Sequence, residues 1–233
     1  MFHHRSLIAF AAAALTLALL AHGGTVSAGS PSLTRLRLTV FGGASDDSPS
    51  DIAAAPDGSV YVAGDTISNP FDGHPIQSND GYLVKFGTGG KRIWSRIIGG
   101  SNFDFLTDVA VGKDGSVYVT GQTASPELNG VPNPHPRAAF VLKYDRKGTL
   151  AWTRLLSGSG DDTATSVAVG KDGSIYVAGY TLSPKLAGQT VKGGADIFVA
   201  RYRADGKLIR VTLIGGPGID LDAAVTADSS NGS

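Results

Sequence analysis

The sequence predicts an all-β repeat fold, built from four-stranded antiparallel sheets. The segment 57–66, Asp-Gly-Ser-Val-Tyr-Val-Ala-Gly-Asp-Thr, returns almost unchanged at 114–123 and 172–181, at offsets of 57 and 58 residues. Two more blocks keep the same step, one at Tyr82, Phe140 and Phe198 and one at Trp94, Trp152 and Arg210. The chain also holds 32 glycines in 233 residues, a composition typical of short strands joined by tight turns.

Each unit is predicted to hold four strands in sequence order. A short apolar strand leads into an Asp-Gly turn, where glycine supplies the positive φ that a tight hairpin needs. The second strand is rich in β-branched and aromatic residues, and the third ends at another glycine turn. In the middle unit we expect these strands over 108–112, 116–121, 139–144 and 150–156.

The second strand indicates how the sheets pack. Val117, Tyr118 and Val119 are consecutive and large, whereas a sheet with one buried face shows polar residues at every second position. Such a strand is typical of a propeller blade, which is covered on both faces by neighbouring blades. We therefore expect Tyr118, and Tyr176 at the same position of the next unit, to be buried between sheets.

The repeats divide the chain into three complete units of about 58 residues, with partial units at both ends. The complete units are expected over 51–98, 108–156 and 166–214, and single strands of incomplete blades over 36–41 and 223–226. A closed ring has 4–8 blades of four strands. Residues 29–233 are therefore predicted to form a partial propeller with open end strands.

Residues 1–28 are predicted to be a cleaved signal peptide. A weakly basic start at His3, His4 and Arg5 precedes an uninterrupted Ala/Leu-rich run over 7–20. That run is shorter than the roughly 20 residues of a membrane-spanning helix. Val26-Ser27-Ala28 then places small residues at a cleavage position before Gly29. We expect a secreted, extracellular or periplasmic protein, with an uncleaved anchor as the alternative.

Composition excludes several classes of function. Lys+Arg and Asp+Glu are both 20, so the chain lacks the basic surface of a nucleic-acid-binding protein. It has no cysteine, which excludes disulfides, thiolate nucleophiles and cysteine-based metal centres. No second apolar run approaches membrane length, so stable membrane insertion is not expected once the signal peptide is removed.

The units resemble the SBBP-type β-propeller repeat of bacterial secreted proteins. The resemblance rests on a Gly-Gly-Ser-x-x-Asp loop at 99–104, a Gly-x-Val-Tyr-Val-x-Gly-x-Thr strand at 115–123, and a Phe-Val-x-Lys-Tyr strand at 140–144 followed by Gly148 and Trp152. It covers roughly residues 36 to 226. Ser157 and Arg210 depart from the pattern at the loop glycine and at the tryptophan. The resemblance implies a seven-bladed propeller and no established activity.

Repeated aspartates form the first candidate site. In propeller topology the fourth-to-first and second-to-third connections share one face, where Asp46, Asp47, Asp104, Asp161, Asp162 and Asp220 recur in equivalent loops. We favour a structural role, in which one aspartate per loop accepts backbone N–H bonds and fixes the turn. The alternative is Ca²⁺, which takes oxygen ligands from loops, with Asp47, Asp104, Asp162 and Asp220 as the ligands.

The long loops 66–80, 123–138 and 181–195 form the second candidate site. They vary in sequence and are rich in glycine and proline, as partner-binding loops on a rigid scaffold often are. His74 and His135 lie in two of them, but not at matching offsets, so a metal or catalytic role for them is not favoured.

From the sequence we expect a non-enzymatic extracytoplasmic scaffold or binding module, whose loop face takes a protein or glycan partner. We assign no catalytic and no cofactor-binding residue. The first alternative is a cation- or glycan-binding surface protein that uses the aspartate loops. The second is a fragment of a larger propeller hydrolase or oxidoreductase.

Overall fold

The computed structural model describes residues 7–10 and 37–227, and β-strands are the only regular secondary structure in that part of the chain. The first two strands, β1 (Leu7–Phe10) and β2 (Arg37–Val40), form an antiparallel pair. β2 falls within the strand predicted over 36–41. The rest of the predicted signal peptide and the residues around Gly29 lie outside the described residues.

Three four-stranded antiparallel sheets follow, each with its strands adjacent in sequence order. The first contains β3 (Asp47–Ala54), β4 (Val60–Thr66), β5 (Asp80–Phe86) and β6 (Arg92–Ile98). The second contains β7 (Asp104–Val111), β8 (Val117–Thr123), β11 (Ala138–Tyr144) and β12 (Leu150–Leu156), with the short hairpin β9 (Glu127–Leu128) and β10 (Val131–Pro132) between β8 and β11. The third contains β13 (Asp162–Val169), β14 (Ile175–Thr181), β17 (Asp196–Tyr202) and β18 (Leu208–Ile214), with the hairpin β15 (Lys185–Leu186) and β16 (Gln189–Thr190) between β14 and β17.

The hairpin turns have the predicted chemistry. Gly115 has φ +78° and Gly148 has φ +81°, values that L side chains rarely adopt. The preceding Asp114 accepts hydrogen bonds from the amide and the hydroxyl of Ser116, at 3.0 and 2.8 Å. The positive φ of these glycines was predicted from the sequence, and the structure adds that the Asp114 and Ser116 side chains close the turn.

The first strand of each sheet begins four residues earlier than predicted. β3, β7 and β13 start at Asp47, Asp104 and Asp162, where strands over 51, 108 and 166 onward were expected. Each contains a β-bulge, for example between Leu106 and Asp108. A bulge inserts one unpaired residue and shifts the alternation of side chains. The residues before the bulge therefore do not continue the alternation of the rest of the strand. For this reason the sequence pattern placed the start of the strand after them.

Residues 223–226, predicted as a first strand, do not form one. They lie beside β13, where the Thr165 hydroxyl donates to the Ala223 carbonyl at 2.6 Å and the Val225 amide donates to Ser166 Oγ at 3.2 Å. A strand pairs with its neighbour through a ladder of backbone hydrogen bonds, and the described residues 221–227 take part in no such ladder.

The sheets pack face to face through apolar cores. Tyr61 and Leu83 of the first sheet meet Val119 and Phe140 of the second in one core. Tyr118 of the second sheet contributes to the equivalent core with the third sheet and is buried as predicted. Tyr176 is only half-buried, contrary to expectation, because no sheet among the described residues covers its face.

A polar clamp reinforces both interfaces at the turns. Trp94 of the first sheet lies against Gly148 of the second, so that a β-carbon at Gly148 would approach its ring to 2.9 Å. Arg96 Nε donates to the Gly148 carbonyl at 2.7 Å. Trp152 and Arg154 repeat these contacts on Gly206 of the third sheet.

Candidate functional site on the loop face

The repeated aspartates stand at the first residue of each first strand and hold the preceding loop. Asp104 Oδ2 accepts the Gly100 amide and the Ser125 hydroxyl, both at 2.8 Å. Ser125 Oγ in turn accepts the Asn102 amide at 3.0 Å. The carboxylate therefore joins the fourth-to-first loop to the start of the second-to-third loop.

The same network recurs in the other units. Asp162 accepts the Gly158 amide at 2.7 Å and the Ser183 hydroxyl at 2.9 Å. Asp47 accepts the Gly43 amide at 2.7 Å and the Thr66 hydroxyl at 2.5 Å. Asp220 accepts the Gly216 amide at 3.0 Å. Asp46 and Asp161 lie one residue earlier and offer their backbone carbonyls to the amides of Ile67 and Leu182.

The carboxylates of Asp47, Asp104 and Asp162 are buried, whereas that of Asp220 is half-buried. Burial raises the pKa of both Asp104 and Asp162 above the ordinary value. For Asp104, the Thr123 hydroxyl beside it, the Ser125 hydroxyl and the Gly100 amide oppose that rise. The contacts are those of turn-fixing aspartates. No three His, Cys, Asp or Glu side chains come together as a metal site within residues 7–10 and 37–227.

Two further buried aspartates, which the sequence analysis missed, open the third strands of the first and third sheets. Asp80 and Asp196 are 3% and 1% exposed. Burial raises the pKa of Asp80 to about 6, the Gln77 amide opposes the rise, and the negative charge of Asp104 adds to it. The middle unit has Ala138 at this position. The recurrence of aspartate at a 116-residue step, twice the repeat, was the signal available.

The long loops, interpreted from the sequence as variable, share one anchored structure. Phe71, Leu128 and Leu186 occupy equivalent positions and are completely buried. Each precedes a turn, and the tip of each loop contacts the fourth strand of the same sheet. Asn129 Nδ2 lies 3.4 Å from Thr153 Oγ1, Gln189 Nε2 donates to the Val211 carbonyl at 2.8 Å, and His74 contacts Ser95 in the first loop. The loops therefore present a fixed surface.

The two loop histidines have separate surroundings. His74 Nε2 lies 3.2 Å from Ser95 Oγ, which donates to the Asp72 carboxylate, and Asp72 also pairs with Arg92. The hydroxyl thus stands between the carboxylate and the imidazole, whereas in a Ser-His-Asp triad the imidazole stands in the middle. The His135 amide donates to Asn133 Oδ1 at 3.2 Å in the next loop.

Large apolar side chains protrude from the rigid backbone of the loop face. Ile67 and Leu182, the residues that follow Thr66 and Thr181, are 48% and 47% exposed. Phe103 is 56% exposed and stacks on Phe105 with ring centroids 6.3 Å apart. Its carbonyl accepts the Ala124 amide at 2.9 Å, so its backbone is held in place. Apolar groups held in fixed positions in water are typical of a binding surface.

Four-stranded antiparallel sheets that follow one another along the chain and pack face to face define a protein made of β-propeller blades. Residues 38–72 and 151–184 match the family described as SBBP, beta-propeller repeat. These two segments are thus similar to SBBP-type β-propeller repeats, which confirms the resemblance noted in the sequence.

Two curated proteins are similar to this chain. The regulatory protein FlaEY of Caulobacter vibrioides is 30% identical over 165 residues, which cover 64% of this chain and 17% of FlaEY. The uncharacterized WD repeat-containing protein L264 of Acanthamoeba polyphaga mimivirus is 28% identical over 163 residues, 59% of this chain and 12% of that protein. The chain thus matches less than a fifth of the length of either relative.

Proposed function

We propose that this protein is a non-enzymatic binding module whose loop face receives a protein partner. The observation that carries the proposal is the set of exposed apolar side chains, Ile67, Phe103 and Leu182, on loops that buried aspartates and anchored hairpins hold rigid. A rigid apolar surface loses little conformational entropy on binding, so burial of these side chains contributes directly to affinity.

Photo-crosslinking tests this proposal. Phe103 is replaced by benzoylphenylalanine in the expressed full chain, and Ile93, 58% exposed on β6 and away from the loops, is replaced in the same way as a control. We expect discrete adducts from position 103 that disappear when Ile67 and Leu182 are changed to Ser, and none from position 93. Equal adducts from both positions, or none from position 103, would contradict the proposal.

A glycan is the second candidate ligand, because the exposed face of Phe103 beside Asn102 offers the apolar and polar contacts that a sugar ring takes. Glycan-array binding by the wild type that is lost in Phe103→Ser would favour this alternative. Phe103 lies on the surface, so this substitution should change stability by no more than about 0.5 kcal/mol.

We further propose that the module works outside the cytoplasm after removal of residues 1–28. The basis is the apolar run over 7–20 followed by Val26-Ser27-Ala28. No helix long and apolar enough to cross a membrane occurs among the described residues, a finding that does not bear on location. Mass spectrometry of protein exported by a bacterial host should find an N-terminus at Gly29, within a few residues. An intact Met1 in the membrane fraction would instead indicate an anchor.

A further inference from the structure

Residues 219–227 occupy the place of a first strand, but no second strand lies beside them among the described residues. The Asp220 amide donates to the Ala195 carbonyl at 3.0 Å, and the Val225 amide donates to Ser166 Oγ at 3.2 Å. β13 makes the two equivalent contacts with the second sheet. The segment is therefore seated on the third sheet as β13 is seated on the second.

The backbone of this segment forms an open edge. In the second sheet the first strand pairs with the second strand along its whole length, from Asp104 with Thr123 to Val111 with Val117. Residues 221–227 take part in no such ladder within the part of the chain that the structure describes. An unpaired strand presents N–H and C=O groups that a strand from another polypeptide can pair with.

Asp220 also lacks a partner that the other loop aspartates have. Asp104 accepts the Ser125 hydroxyl at 2.8 Å in addition to a loop amide, whereas Asp220 accepts the Gly216 amide alone within the described residues. The serine belongs to a Gly-x-Thr-x-Ser segment at the end of the second strand, which recurs at 64–68, 121–125 and 179–183. What is missing at Asp220 is therefore the end of a second strand.

The face of the third sheet beside this segment is open as well. Tyr176 lines a groove of about 410 Å³ together with residues 170–172 and 225–227. Tyr61, at the same position of the first sheet, is completely buried in one core with Val117 and Val119 of the next second strand. A second strand added to residues 221–227 would cover Tyr176 in the same way.

The bulged first strands specify one residue of the missing strand. A β-carbon at Gly121 would lie 1.8 Å from the Phe105 carbonyl oxygen, and one at Gly179 would lie 2.0 Å from that of Thr163. Leu221 holds the equivalent position in the open segment. A strand that pairs with this segment therefore needs a glycine at the Leu221 carbonyl, and a threonine two residues later lies opposite Asp220.

We propose that residues 219–227 and the open face of the third sheet bind one extended strand of a partner polypeptide, with the pattern Val-x-Val-x-Gly-x-Thr. The two valines pack on Tyr176, the glycine passes the Leu221 carbonyl, and the threonine hydroxyl donates to Asp220. The strands of this type within the chain, β4, β8 and β14, are each paired on both sides, so none of them is free to bind. This site is separate from the apolar loop surface of the proposed function.

A peptide copied from the chain tests the proposal. The synthetic peptide of residues 114–125, which contains the pattern, is labelled with a fluorophore and titrated with the full chain. We expect saturable binding by fluorescence anisotropy, and slower hydrogen exchange of the amides of 221–227 when the peptide is bound. Gly121→Val in the peptide should abolish binding even though valine favours strands, because its side chain would meet the Leu221 carbonyl. Thr120→Ala in the peptide is the matched control and should leave binding unchanged, since the other two units have alanine there.

A double-mutant cycle tests the contact with Asp220. Thr123→Val in the peptide and Asp220→Ala in the full chain should each weaken binding about tenfold, the effect of losing a hydrogen bond to a charged group. Together they should weaken it no further, because both remove the same bond. The circular dichroism of Asp220→Ala should match that of the wild type.

The proposal is overturned if the peptide does not bind, if it binds without protecting 221–227, or if the Gly121→Val peptide binds equally well. It is also overturned if the two substitutions of the cycle act independently. A dimer of the full chain that the peptide does not dissociate would show that a second copy occupies this face instead. Crosslinking at position 103 is a separate readout, so failure of this proposal leaves the proposed function unaffected.

Discussion

Tyr118 and Tyr176 hold the same position in the second strands of neighbouring sheets. They differ in whether another sheet packs over the side chain. Tyr118 is 2% exposed and tilts against Trp152 at 6.1 Å between ring centroids, while Lys143 Nζ lies 5.4 Å from its ring. Tyr176 has Arg201 over its ring at 5.5 Å but no facing sheet among the described residues. The chemical identity of the two side chains makes them a matched pair for measuring what inter-sheet packing contributes.

Tyr118→Ala should lower the free energy of unfolding by about 3–5 kcal/mol, since it leaves a cavity between two sheets. Tyr176→Ala should cost about 1 kcal/mol, because the lost contact is already partly solvated. Urea denaturation measures both, as a change in midpoint at constant m-value. Equal costs for the two substitutions would mean that the second and third sheets do not pack as the structure shows.

Residue-level prediction from sequence succeeded where a residue follows the repeat and failed where two residues act together. The loop aspartates recur in every unit, so Asp47, Asp104 and Asp162 were identified at once. Asp80 and Asp196 have no counterpart in the middle unit. Their carboxylates pack against Gly99 and Gly215, which lie next to them only in the fold. A pattern of this kind becomes visible only when strand pairing brings the two positions together.

The β-bulge of each first strand is an element-level device that connects neighbouring sheets. It turns Asp51 and Asp108 toward the next first strand, and Ser166 toward residues 223–226. Asp51 Oδ2 accepts the Val109 amide at 3.1 Å, Asp108 Oδ2 accepts the Val167 amide at 2.7 Å, and Ser166 Oγ accepts the Val225 amide. The Val109 amide also donates to Asp108 Oδ1 at 2.8 Å, so two carboxyl groups converge on one amide.

This convergence predicts a pH dependence. Burial raises the pKa of Asp108 to about 6, and its hydrogen bond with the Asp51 carboxyl contributes to that rise above the ordinary value. The folded protein therefore binds the proton more tightly than the unfolded chain, so the contribution of this pair to stability grows as pH falls from 7 toward 4 and is lost as pH rises through 6.

Asp108→Asn should remove that contribution to the change of unfolding free energy with pH. The side-chain NH₂ of the asparagine donates to Asp51 at every pH, and its side-chain oxygen still accepts the Val167 amide. After allowance for the partial exposure of both groups, we expect the variant to be more stable than the wild type at pH 7 by about 1 kcal/mol, and the difference to vanish near pH 4. Urea denaturation at pH 4, 5, 6 and 7 measures the difference, with Ser166→Ala as a control that carries no titratable group. A constant difference across this range would show that the carboxyl groups do not share a proton.

At the level of elements, the second, third and fourth strands could be predicted to within two residues because apolar and β-branched residues mark them. β12 begins and ends where it was expected, at Leu150 and Leu156. The bulged first strands and the hairpins β9–β10 and β15–β16 were not, because a bulge breaks the alternation and a two-residue strand has none. What these loops share in the structure is one buried apolar residue followed by a residue of positive φ, at Asp72, Asn129 and Ala187.

For the whole molecule, we expect the polar clamp between neighbouring sheets to determine whether the sheets unfold together. Trp152 Nε1 and Lys143 Nζ both donate to the Ala204 carbonyl at 3.2 Å, across the interface between the second and third sheets. In the third sheet Arg210 replaces the tryptophan, and Arg201 pairs instead with Asp172 of its own sheet. A repeat protein behaves as a row of units joined by nearest-neighbour interfaces, so one weakened interface should divide the row.

Trp152→Ala should therefore weaken the interface between the second and third sheets without affecting the hydrogen-bonded ladder of either sheet. Because Trp152 is only half-buried, we expect a loss of about 2 kcal/mol, below that for a fully buried aromatic residue.

The chain has two tryptophans, so the variant retains only Trp94, which lies against Gly148 at the first interface. Urea unfolding followed by circular dichroism, which reports on all the sheets, should then begin at lower urea than unfolding followed by tryptophan fluorescence. Arg210→Ala, at the same register position in the third sheet, should leave the two transitions coincident and change stability by no more than about 0.5 kcal/mol. Coincident transitions in Trp152→Ala would show instead that the three sheets unfold as one cooperative unit and that the clamp does not determine their coupling.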